Sequence, residues 1–98
     1  MENGFDGWRD KIDEIDKKLI ELFNKRAEYA IEIGRLKRIK GLPVYNPERE
    51  NMIYEQLKLR NQGPLSDPAI RRLFERIIDE TRRLEREICE TGGAGDDN

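Results

Sequence analysis

Arg26 and Lys37, eleven residues apart, stand where a helix from about Trp8 to Lys40 would carry apolar side chains. With Ile12 placed at zero and each residue advanced by about 100°, Trp8, Ile12, Ile15, Leu19, Leu22, Phe23, Ala30 and Ile33 gather in one stripe. Arg26 falls at about −40° and Lys37 at about −20°, both inside that stripe. Arg9 lies at its edge, beside Trp8. In "VYNPERE", Val44 to Glu50, Arg49 precedes Ile53 by four residues and so shares the face of Ile53 and Leu57. Farther on, Thr81 sits within a stripe of Ile70, Leu73, Phe74, Ile77, Leu84 and Ile88, with Glu85 one turn beyond it.

Any one of these polar residues alone has a plain account, as half of an ion pair or as a long side chain that lays its stem on apolar surface. Asp16, near the first stripe, is a candidate partner. Taken together, at least three cations face inward, and Glu50 and Glu85 are the nearby carboxylates. Unpaired buried charge costs several kcal/mol per ion, and an anionic ligand removes that cost. Guanidinium forks match carboxylates in bidentate fashion, so the expected ligand is a small dicarboxylate. The chain has no histidine, which removes the commonest general base and the usual Ser/His and Cys/His pairs. Chemistry here has to run through Arg, Lys, Glu and hydroxyl groups. The single cysteine, Cys89, excludes an intrachain disulfide and is expected to be inert.

These residues need helices to position them. Glycine and proline divide the chain at "KGLPVYNP" and "NQGPLSDP", leaving three helical segments: about Trp8 to Lys40, Pro47 to about Asn61, and a third that runs to about Cys89. Asn46 with Pro47, and Asp67 with Pro68, read as cap and first-turn pairs. Strand alternation appears nowhere, so the expected fold is all-α, one long helix and two shorter ones. Residues 1–7 are expected to be a flexible N-terminus, 8–90 one helical domain and 91–98 a disordered tail.

Ninety-eight residues suit one domain. The charge is mixed, 19 basic against 21 acidic residues for a net −2, so there is no electrostatic case for nucleic acid. No apolar run is long enough for a membrane helix, and the N-terminus lacks a signal-peptide hydrophobic region, which points to the cytoplasm. The first helix, on the order of 48 Å long, exceeds the roughly 32 Å diameter of a compact domain of this size. A symmetric dimer in which two long helices run side by side would cover its stripe.

The ordered set of "WRDKIDEIDKKLIELFNKRAEYAIEIGRLK", "PVYNPERE" and "GPLSDPAIRRLFERIIDETRRLE" resembles the all-helical chorismate mutases of aromatic amino acid biosynthesis, from about Trp8 to Glu87. The resemblance implies an intertwined homodimer of three-helix subunits that converts chorismate to prephenate by an intramolecular Claisen rearrangement. Such a reaction needs no nucleophile, metal or cofactor. By the same resemblance, Arg26 pairs with one substrate carboxylate and Arg9, delivered from the partner subunit, with the other. Lys37 contacts the ether oxygen and a carboxylate, Arg49 is a further binding-site arginine, and Glu50 holds the substrate hydroxyl. Asn46 approaches that hydroxyl through its backbone, and Thr81 stands where a serine often lies near a carboxylate.

Glu85 stands where relatives have Gln or Glu facing the ether oxygen. An ionised carboxylate cannot donate a hydrogen bond, so Glu85 is expected to act in its protonated form and activity to fall as pH rises. Two alternatives stay open on sequence: an isochorismate-pyruvate lyase on the same scaffold, and a non-catalytic helical dimerisation or regulatory module. Docking on another enzyme of the pathway is not legible.

Overall fold

The computed structural model describes residues 4–91. They form three α-helices, α1 (Asp6–Lys40), α2 (Pro47–Arg60) and α3 (Asp67–Thr91), with no strand among the described residues. The chain is all-α, one long helix and two shorter, as its periodicity predicts. Residues 1–3 of the expected flexible N-terminus and 92–98 of the expected tail lie outside the described residues. Asp6 and Gly7 are already helical and Thr91 still is. The acidic side chain of Asp6 in the first turn complements the positive end of the helix, which favours the earlier start.

Local chemistry sets each boundary. Gly41 ends α1 in the left-handed region (φ 68°), where a Cβ would be strained. Its N–H donates to the Arg38 carbonyl, and that of Leu42 to the Lys37 carbonyl at 2.8 Å. Asn46 caps α2 by accepting from the Arg49 N–H at 3.1 Å, with Pro47 in the first turn as expected. At α3 the cap differs from expectation. Ser66 Oγ accepts from the Ala69 N–H at 3.2 Å, so Ser66 takes the role anticipated for Asp67. The Asp67 carboxylate instead accepts from the Asn61 side-chain amide at 2.7 Å, tying the end of α2 to the start of α3.

α3 is the shared element, packed against both α1 and α2. Its buried residues are Ile78, Glu85 and Ile88, while Leu73, expected in the stripe, is exposed. A helix with two neighbours needs a wider buried face than one stripe. At the α1–α3 crossing, Gly34 brings the backbones together: a Cβ there would lie 3.3 Å from the Glu85 Cα.

The helices lie in a slab of 58 × 33 × 14 Å with a radius of gyration of 17.4 Å, against about 13 Å for a compact chain of this length. Buried apolar side chains are confined to Ala30, Ile78 and Ile88 among the described residues. The α1 stripe from Trp8 to Phe23 is uncovered, its residues between 40% and 67% exposed. No helix among the described residues is long and apolar enough to cross a membrane.

Candidate active site

Where α3 meets the C-terminal half of α1 and the start of α2, the helices enclose a cleft of about 440 Å³, within the range of small-molecule sites. Tyr29, Ile33, Val44, Ile53 and Ile78 form apolar walls. Arg26 and Lys37 from α1, Arg49 and Glu50 from α2, Thr81 and Glu85 from α3, and Asn46 before α2 all line it. Seven residues singled out from sequence spacing or resemblance thus converge on one place.

Lys37 crosses from α1 to α3. Its Nζ donates to Glu85 Oε1 at 2.7 Å and to the Val44 carbonyl at 2.7 Å. An ammonium has three N–H donors, so one remains for a ligand. Glu85 is only 5% exposed, and its Oε2 is not used in this ion pair. Arg26, half-buried, donates from Nη1 to Thr81 Oγ1, and the Thr81 hydroxyl donates to the Ile77 carbonyl at 2.9 Å. Asn46 spends its side-chain oxygen on the α2 cap.

Glu50 has a partner that the sequence reading did not single out. Arg82 donates to both carboxylate oxygens, Nε to Oε2 at 2.8 Å and Nη2 to Oε1 at 3.0 Å. Hydrogen bonding to Glu50 pushes the Arg82 guanidinium above its ordinary value. The signal that could have found Arg82 is its helical phase, four residues after Ile78 and three before Glu85, on the wider buried face of α3.

The electrostatic balance is uneven. Four cations line the cleft against two carboxylates, and those carboxylates are taken by Lys37 and Arg82. Arg26 and Arg49 have no ion-pair partner among the described residues, a net excess of two positive charges. Burial chiefly, and then repulsion from Arg49, pushes the Arg26 guanidinium below its ordinary value, opposed by attraction to Glu85. A dianion is the complementary ligand. Of the cations expected here from spacing, Lys37 is thus paired within the chain, while the half-buried Arg26 and the exposed Arg49 are not.

Arg9 is not brought to this cleft. It precedes Arg26 by a run of α1 about 25 Å long, and its guanidinium lies over the Phe5 ring, 5.1 Å from the centroid. Asp16 and Cys89 are not part of the lining either. The Cys89 thiol points at the Gly34 carbonyl, 3.6 Å away.

The sequence and the three-helix fold have known counterparts. The sequence model of chorismate mutase type II matches residues 8–86. A chorismate mutase of Methanocaldococcus jannaschii is 31% identical over 83 residues, covering 84% of this chain and 84% of its own length. A bifunctional chorismate mutase/prephenate dehydratase of Neisseria gonorrhoeae is 39% identical over 80 residues, 82% of this chain but only 22% of that protein. The solved structure of chorismate mutase (form II) from Thermus thermophilus superposes with a TM-score of 0.83 at 33% identity, covering 86% of this chain and 96% of that one. This chain belongs to the type II chorismate mutase family. It spans nearly the whole of one kind of relative and about a fifth of the other.

Proposed function

We propose that the protein is a chorismate mutase, rearranging chorismate to prephenate. The observation that carries this reading is the pair of uncompensated cations, Arg26 and Arg49, in a cleft whose other charges are already matched. They supply the two positive charges that a dicarboxylate needs.

In the rearrangement the ether C–O bond breaks while a C–C bond forms within the same molecule, and no group leaves. The protein's work is to hold the reactive chair-like shape and to meet the charge that develops on the ether oxygen. Arg26 and Arg49 hold carboxylates, with the Thr81 hydroxyl beside Arg26. Lys37, anchored by Val44 and Glu85, has its third N–H for the ether oxygen. Glu85 Oε2, when protonated, donates to the same atom while Oε1 keeps Lys37. Glu50 accepts from the substrate hydroxyl, near the backbone of Asn46.

The working unit is a homodimer. Burying a large apolar side chain is worth about 1.5–3 kcal/mol, and Trp8, Ile12, Ile15, Leu22 and Phe23 are all uncovered in one chain. Pairing the N-terminal half of α1 with a second subunit covers them and delivers Arg9 of the partner subunit to the cleft, where it joins Arg49 at the second carboxylate. The protein acts in the cytoplasm.

The test is incubation of purified protein with chorismate and, in parallel, isochorismate. Prephenate formed from chorismate, with no pyruvate released from isochorismate, supports the mutase. Pyruvate from isochorismate without prephenate identifies the lyase instead, and a folded dimer inert to both identifies a non-catalytic module.

A further inference from the structure

The Glu50 end of the cleft differs in kind from the Arg26 end. Glu50 on α2 and Arg82 on α3 meet through two parallel hydrogen bonds, 2.8 and 3.0 Å, a fork geometry that fixes the plane of the carboxylate as well as its charge. The fork is itself held in place. The Arg82 guanidinium lies over the Tyr45 ring, 5.3 Å from its centroid, and Nη2 is 3.4 Å from Asp79. A carboxylate oxygen has two lone-pair directions. Arg82 occupies one on each oxygen, which leaves one defined acceptor direction on each for a further donor.

We propose that Arg82 is a positioning residue that sets substrate specificity: by orienting Glu50 and cancelling its charge, it makes this end of the cleft accept a neutral ring hydroxyl and reject an ammonium. The proposal rests on the mutase reading above. An unpaired Glu50 would present a full negative charge and attract a cationic group at that position. With Arg82 bound, an ammonium in the same place gains from Glu50 and loses to Arg82, and it also meets the excess positive charge of Arg26 and Arg49. A hydroxyl meets none of these penalties and uses one of the acceptor directions that remain.

The probes are chorismate and its amino analogue, 4-amino-4-deoxychorismate, in which an ammonium replaces the ring hydroxyl. For the wild-type protein, kcat/KM favours chorismate by at least about tenfold. Arg82→Gln, which keeps N–H donors and removes the charge, lowers that preference by about tenfold or more, whereas Arg82→Lys keeps it within about threefold. A residue that merely supports the fold would lower both rates together and leave their ratio alone. Wild-type preference for the amine, or none, overturns the proposal without any variant, and so does an unchanged ratio in Arg82→Gln. Turnover of neither substrate by the wild type overturns the mutase reading itself, which separates the two failures.

Discussion

Lys37 Nζ lies 2.7 Å from Glu85 Oε1, so one cation on α1 and one carboxylate on α3 are matched before any ligand arrives. Both side chains are largely enclosed, 17% and 7% exposed. Removing one partner of such a pair leaves the other charge uncompensated, at a cost of about 3 kcal/mol or more. Lys37→Ala is expected to lower the melting temperature measured at fixed protein concentration. Adding Glu85→Gln to that variant should recover most of the loss. Recovery absent from the double variant would show that Lys37 stabilises the fold through its stem rather than its charge.

Glu85→Gln on its own bears on catalysis. The Gln amide keeps an N–H donor for the ether oxygen and carries no charge, so Glu85→Gln is expected to retain kcat at or above the wild-type value, whereas Glu85→Ala, with no donor, lowers it by about tenfold or more. Equal loss in both variants would remove Glu85 as a donor to the ether oxygen.

Gly34 sets how closely α1 approaches the strip of α3 that carries Glu85. A Cβ there lies 3.3 Å from the Glu85 Cα and 3.4 Å from the Ile88 Cβ, close enough to push α3 outward by a few tenths of an ångström. Alanine gains about 1 kcal/mol of helix propensity over glycine, against about 1–3 kcal/mol for overpacking, so stability changes little. Positioning suffers more, because small misplacements of reacting groups are costly. Gly34→Ala is expected to lower kcat by about tenfold with a melting temperature within a few degrees of wild type. Unchanged kcat would mean that the crossing has slack.

Much of this was readable in advance, for identifiable reasons. Asn46 and Pro47 announced the start of α2 because capping is local chemistry, and Arg26 and Lys37 stood out because a charge within an apolar stripe breaks a short-range pattern. Ser66 displaced Asp67 as the α3 cap because two adjacent residues can both cap, and only the geometry chooses between them. The Glu50–Arg82 pair joins positions 32 residues apart, a relation no periodicity encodes. Leu73, expected in the stripe, is exposed and Ile78 is buried, because α3 serves two neighbours. For Arg9 one chain is not enough, since its expected destination lies on a second subunit.

That expectation about Arg9 has a test of its own. Arg9→Ala and Arg26→Leu each disable the sites of their own homodimer. If a site combines one chain's Arg26 with the other chain's Arg9, a heterodimer of the two variants has one intact site of two. Random exchange of equal amounts then restores about a quarter of wild-type activity. Activity that stays at the level of the separate variants after exchange would place Arg9 outside the site.

The most direct test of the account is Arg26→Leu, because Arg26 is the cation whose place in the apolar stripe first required explanation. Leucine removes a charge that burial and Arg49 disfavour, and the Thr81 hydroxyl keeps its bond to the Ile77 carbonyl. The variant should therefore melt at or above the wild-type temperature while losing conversion of chorismate to prephenate by on the order of 100-fold or more, the scale set by losing a charged contact to a substrate carboxylate. Loss of folding, or full activity in a folded variant, would contradict the claim that Arg26 is there for the ligand.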